Sequence, residues 1–156
     1  MKAKEIMSQN IVALDENESV LKAAQGMEKN NVGTVLVTSG GNFSGILNDR
    51  QITCKCVAPE KDPSNTSINE VMTKDPRSGT PDMDILEAAR VLGESHFRRL
   101  PIIDNGKPVG VLSVADLAEQ VKDLNTWIFE EISKSKKGKS KKEMYYYGEG
   151  EVKARK

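Results

Sequence analysis

Shifted against itself by 65 positions, the sequence realigns without a gap from Glu5 on Glu70 to Ile52 on Leu117. Met7 falls on Met72, Leu21 on Leu86, Ala23 and Ala24 on Ala88 and Ala89, Gly41 on Gly106, and Gly45 on Gly110. This internal duplication restricts the fold strongly. A unit of about 60 residues is longer than ordinary solenoid repeats, and two copies call for a pseudo-symmetric pair that buries equivalent apolar faces against each other. The 156 residues suffice for one domain or two small interlocked units whose core needs no disulfide or metal staple.

Each copy carries the same local signals. A short "EIM" or "EVM" turn and a polar loop lead to Ser19 or Asp84, which read as N-caps. Apolar residues then recur at helical spacing: Val20, Ala23, Ala24 and Met27, or Ile85, Ala88, Ala89 and Leu92. Two apolar runs follow around a turn, "TVLV" and "FSGIL" about Gly40-Gly41, "LPII" and "PVGVL" about Asn105-Gly106, so a hairpin is expected after each helix. A second helix starts near Asp49 or Val114. The expected class is α/β (α+β), each unit a small mixed sheet with two helices. Residues 1–65 form the first unit with its linker "VAPEKDPSNTS"; residues 66–133 form the second, its last helix extended by the stripe Leu117, Val121, Leu124, Ile128 and Ile132. Residues 134–156 read as a basic, flexible tail.

Lysine plus arginine and aspartate plus glutamate each number 23, so no global charge announces a nucleic acid or a membrane as partner. Nothing resembles a signal peptide or a spanning segment, and a cytoplasmic protein is expected. Cys54 and Cys56 lie two apart, about 200 degrees around a helix, which suits no shared metal ion. His96, the one histidine, reads as a surface residue. With no nucleophile-base-acid set, carboxylate pair or Walker loop, neither enzymatic activity nor a required cofactor is expected. Trp127 suits either a dimer contact or packing on the chain's own body.

The pair "GVLSVAD" (110–116) and "GILNDRQ" (45–51) separates the copies. Ser113-x-x-Asp116 has the form of a capping box, and Asn48-x-x-Gln51 caps equally well, so helix initiation does not require the carboxylate. A carboxylate adds an ionised acceptor able to take both hydroxyls of a ribose, while a serine at a helix start lies near N–H groups suited to phosphate.

With "VMT" and "GESHFRRLPIIDNGKPVGVLSVADL", the repeat resembles the cystathionine β-synthase (CBS) domain family over roughly residues 4–121, the second copy more closely than the first. The resemblance implies two units packed through their sheets as a pseudo-two-fold pair (a Bateman module), assembly as a homodimer, and binding of an adenosine ligand such as AMP, ADP, ATP, NAD or S-adenosylmethionine. The acid would hold the ribose diol and the serine would lie near the phosphates. Carried onto this chain, the cleft served by Ser113 and Asp116 would be walled by Ser8, Ala13, Val32, Gly33 and Thr34, all small enough to admit a flat base. The mirror cleft would use Asn48 and Gln51 with Thr73, Ser78, Phe97, Arg98 and Arg99. The arginines read either as a solvated pair or as phosphate ligands reaching from across the dyad, with Arg50 a weaker candidate. One competent cleft and one weak or empty cleft per chain are expected. The chain then reads as a stand-alone regulatory module that signals to a separate, unidentified partner protein. The alternative is a structural or nucleic-acid adaptor that dimerises through the pair and binds through the lysine run 134–142 and Tyr145 to Tyr147.

Overall fold

Ser19 fixes the start of the first long helix: its hydroxyl accepts the Lys22 N–H at 3.1 Å. Asp84 does the same for the second, accepting the Leu86 N–H at 2.9 Å. In the computed structural model, which describes residues 1–95, 97–120 and 128–133 together with the backbone of 144–148 and 151–155, these caps open helices α2 (Val20–Asn30) and α5 (Ile85–Ser95). Their buried stripes are the expected ones, Val20, Ala23 and Met27 against Ile85, Ala88, Ala89 and Leu92. Ala24 is only half-buried.

The chain runs α1 (Ala3–Ile6), β1 (Ala13–Asp15), α2, β2 (Thr34–Ser39), β3 (Asn42–Asn48) and α3 (Asp49–Ile52), which continues into a π-helical turn (Thr53–Val57). It repeats as α4 (Ile68–Val71), β4 (Thr73–Lys74), α5, β5 (Arg99–Asp104), β6 (Lys107–Ser113) and α6 (Val114–Gln120), then a helical segment at 128–133, α7. Both hairpins turn on two residues of positive φ, Gly40 (57°) and Gly41 (83°) in one and Asn105 (47°) and Gly106 (77°) in the other. Those values suit the right-handed twist of the flanking strands. The register slips at equivalent places, Val37/Thr38 and Ile102/Ile103.

The first sheet has the order β1-β2-β3-β4. Its outer strand β4 comes from the second copy and pairs antiparallel with β3, Ile46 opposite Thr73. The second sheet mirrors this, with Ser8 from the first copy pairing with Val111 of β6 and Gly79 lying parallel to Ile102 of β5. The copies therefore exchange their lead-in segments. Ala3 packs into the core of Ile85, Leu92, Leu100 and Leu112, whereas Ile68, Val71 and Met72 pack into that of Val20, Val35, Val37 and Leu47. Backbone bonds seal the exchange at matched positions: the Val20 N–H donates to Thr66 O at 2.9 Å and the Ile85 N–H to Met1 O at 3.1 Å. The pseudo-two-fold pair of α/β units is thus present.

Two glycines allow this exchange. A Cβ on Gly45 would stand 2.5 Å from the Thr73 carbonyl oxygen, and one on Gly110 2.5 Å from the Met7 sulfur. The repeat thus keeps a methionine in each lead-in and a glycine in each hairpin because they meet across the pair. After α6 the copies diverge: Ile128 of α7 is fully buried beside Leu117 in the second core. Part of the tail expected to be flexible is paired, Met144–Gly148 antiparallel to Glu151–Arg155, in keeping with the strand preference of its tyrosine run.

Candidate functional site

Ser113 ends β6 and caps α6, its hydroxyl accepting the Asp116 N–H at 3.1 Å. Asp116 reaches back, Oδ2 accepting from the Ser113 N–H at 2.7 Å and from the Ser113 hydroxyl at 2.6 Å. The capping box exists, and it occupies only one carboxylate oxygen. Among the described residues Oδ1 accepts no hydrogen bond.

Asp116 and Ser113 line a cavity of about 200 Å³. The facing wall is the end of α2 and the start of β2: Asn31, which closes the helix in the left-handed conformation (φ 52°), then Val32, Gly33 and Thr34. Ser8 lines it too, held by two 2.9 Å backbone bonds to Val111. Arg99 lies opposite Ser113 in the β5–β6 register and lines the same cavity. It is exposed and forms no ion pair with any described residue. Of the expected site residues, Ser8, Val32, Gly33, Thr34, Arg99, Ser113 and Asp116 come together here. Two do not. Ala13 is an exposed residue of β1, paired with Leu36, and Arg98 lines a neighbouring depression instead.

Asn10, Ile11, Asn31, Leu36 and Val111 also line the cavity and escaped the sequence reading. Asn31 carried a signal, since "KNNVG" after an amphipathic stripe marks a helix end with an asparagine suited to positive φ. Leu36 belongs to β2, and Asn10, Ile11 and Val111 depend on the pairing of Ser8 with Val111, 103 positions later, which no local pattern reports.

At the equivalent place in the first copy the glutamine is engaged within the protein. Gln51 accepts the Asn48 N–H at 2.9 Å, and its Nε2 donates to the Thr73 hydroxyl at 2.6 Å. Both ends of the amide are engaged. Arg99, placed beside this cleft by the sequence reading, lines the Asp116 cavity instead, because its strand pairs directly with the one that ends at Ser113.

Comparison with known families accounts for the doubling: the family model of the CBS domain matches residues 3–55 and again 68–123. The chain belongs to the CBS domain family. Each matched CBS stretch includes the lead-in helix that packs into the other copy's core. Relatives include CBS domain-containing protein YhcV of Bacillus subtilis, 33% identical over 115 residues, which are 74% of this chain and 81% of that protein. Hypoxic response protein 1 of Mycobacterium tuberculosis is 28% identical over 120 residues, 76% of this chain and 84% of that protein. Among solved structures, a conserved CBS domain protein of unknown function from Thermoplasma acidophilum shares the fold at a TM-score of 0.73 and 27% identity, over 84% of this chain and 75% of that one.

Other residues singled out in the sequence lie away from the CBS cavity. Cys54 is exposed and Cys56 buried, its sulfur 3.6 Å from the Lys61 carbonyl oxygen. His96, Trp127 and the lysine run 134–142 fall outside the described residues. Among the described residues, no helix is long and apolar enough to cross a membrane.

Proposed function

We propose that the chain is a regulatory CBS pair that binds an adenosine-containing ligand in the Asp116 cavity and passes the resulting change to a separate protein. One observation carries this reading: an acid and a guanidinium line the same cavity, and among the described residues the acid has an oxygen without a partner and the guanidinium no ion pair. A carboxylate accepts from a ribose diol, and a guanidinium binds phosphate oxygens in bidentate fashion. The cavity is smaller than the roughly 300–1,000 Å³ of sites that enclose a whole ligand, so base and ribose would fill it while the phosphates meet Arg99.

Regulation follows from where the walls come from. Asn31 to Thr34 belong to the first copy and Ser113 and Asp116 to the second, so a ligand touching both favours one relative arrangement of the copies. Such a ligand shifts an equilibrium only by its differential affinity for the two arrangements, which makes closure around it the signal. Assembly as a homodimer in the cytoplasm belongs to the same proposal, as does a role in binding and not in catalysis.

A thermal-shift series with AMP, ATP, NAD and S-adenosylmethionine tests it. A ligand at 100 times its dissociation constant adds about 2.7 kcal/mol. Asp116→Asn keeps an acceptor for the Ser113 N–H but loses the ionised diol acceptor, so the ligand-induced shift should fall to near zero. Equal shifts in both proteins, or none with any ligand, would contradict the proposal.

A further inference from the structure

The exchange of lead-ins divides the chain into two bodies with separate cores. Residues 12–75 hold one core, in which Val71 and Met72 join Val35 and Leu47. Residues 1–8 and 79–120, with α7, hold the other, in which Ala3 joins Leu100 and Leu112. Two connectors, 9–11 and 76–78, carry the chain between them, and neither is helix or strand. Two hydrogen bonds join the bodies directly, both where the hairpin turns cross: the Phe43 N–H donates to Gly106 O at 2.8 Å, and the Lys107 ammonium donates to Gly41 O at 2.8 Å. Among the described residues outside α7, no other hydrogen bond or ion pair passes between the bodies. The repeat accounts for the side-chain donor. Phe43 corresponds to Pro108, which has no N–H to give to Gly41, and the ammonium beside it supplies one.

The Asp116 cavity lies at the far end of the same strands. β3 and β6 run from the crossing, at Asn42 and Lys107, to Asn48 and Ser113. Six strand steps of about 3.3 Å place those ends roughly 20 Å from the crossing. One body supplies the cavity wall from Asn31 to Thr34, the other supplies Ser113 and Asp116, and the connector residues Asn10 and Ile11 line the space between. Short irregular connectors absorb changes of backbone dihedral, whereas the crossing is pinned at two points. Over an arm of that length a rotation of about 5° moves the cavity walls by roughly 2 Å.

We propose that the crossed hairpin turns are the pivot about which the two bodies close on a ligand, with Lys107 as the positioning residue that holds the pivot. This rests on the adenosine reading above and adds the motion that carries its signal. A ligand bridging Asp116 and the wall between α2 and β2 draws the cavity ends together and leaves the crossing in place. Without the ammonium, Gly41 O loses its donor and the crossing is held by the Phe43 bond alone. The fraction of molecules in the binding arrangement then falls, and the apparent affinity falls with it.

Paired nitroxide labels on the full chain, read by pulsed dipolar spectroscopy in a Cys54→Ser background with the fully buried Cys56 left in place, test the proposal. Lys29→Cys with Glu119→Cys spans the cavity end and Ser39→Cys with Asp104→Cys spans the crossing, all four positions being exposed. In the free chain the cavity pair should show the broader distance distribution. AMP should shorten the cavity distance by roughly 2 Å and leave the crossing pair unchanged. In calorimetric titration Lys107→Met should weaken AMP binding about fivefold, and Lys107→Arg, which keeps a donor, should restore it. AMP that binds without moving the cavity pair, or that moves both pairs alike, would overturn the pivot and leave the adenosine reading intact, as would Lys107→Met binding AMP as the parent does. Failure of every ligand in the thermal-shift series would overturn the adenosine reading. The free chain then decides the pivot, which a broader cavity pair supports and equal widths overturn.

Discussion

Gln51 and Asp116 hold equivalent places in two copies of one unit, and both reach back to the N–H of the residue that caps their helix. They differ in what remains. The amide of Gln51 has a donor as well as an acceptor, and that donor crosses to Thr73 of the exchanged strand, where the protein itself satisfies it. Asp116 has acceptors only, and the residue equivalent to Thr73 is Ser8, to which it makes no hydrogen bond. An amide can satisfy itself against the protein at both ends, whereas a carboxylate leaves an ionised acceptor facing a cavity. The duplicated scaffold is symmetric, and the chemistry placed on it is not.

The symmetric half of that comparison can be broken at Gly45 and Gly110. Alanine at either position should cost about 1–3 kcal/mol in chemical denaturation, the usual range for forcing atoms into a filled site. Gly45→Ala should cost more, since its Cβ meets a backbone oxygen at 2.5 Å, whereas at Gly110 the nearest atom is the flexible Met7 sulfur. If both variants stay within about 0.5 kcal/mol of the parent, as ordinary surface changes do, the exchanged packing is not tight.

The asymmetric half can be sharpened by a graft. Replacing Asn48 by Ser together with Gln51 by Asp frees Thr73 and supplies the missing carboxylate. A second, weaker adenosine site should then appear in calorimetric titration, weaker because Arg99 lines the other cavity. Unchanged stoichiometry would mean that more than these two side chains distinguishes the clefts.

Much of this was legible in the sequence, because the duplication served as its own control. The caps, the helix stripes, the positive-φ turns and the contrast between Ser113-x-x-Asp116 and Asn48-x-x-Gln51 are local patterns, and each occupies the expected place. Pairing across the copies was not legible from local pattern. The Ser8–Val111 bridge brings Ser8, Asn10 and Ile11 to the cavity but leaves Ala13, on a strand that pairs with Leu36, exposed and away from it. Arg98 and Arg99 are neighbours in sequence, yet only Arg99, the first residue of β5 and the partner of Ser113, lines the Asp116 cavity. The hairpin within the tail was hidden by the charge of its surroundings.

The smallest expected effect concerns the lead-in helices. Glu70 accepts the Ser67 N–H at 2.8 Å, and this backbone hydrogen bond holds its carboxyl below the ordinary value. A lowered folded value means that the contribution is present once the pH exceeds the ordinary carboxylate range and is lost as the pH falls through the folded value. The melting-temperature gap between the parent and Glu70→Gln should therefore be small at neutral pH and close on acidification. A gap that widens in acid would contradict the assignment.

The central claim, one competent cleft per chain on a symmetric scaffold, is tested most directly by the stoichiometry of AMP binding to the purified chain in calorimetric titration. The account predicts one site per chain, lost in Asp116→Asn and untouched in Gln51→Ala. Two equivalent sites per chain, or a single site that survives Asp116→Asn and disappears in Gln51→Ala, would contradict it.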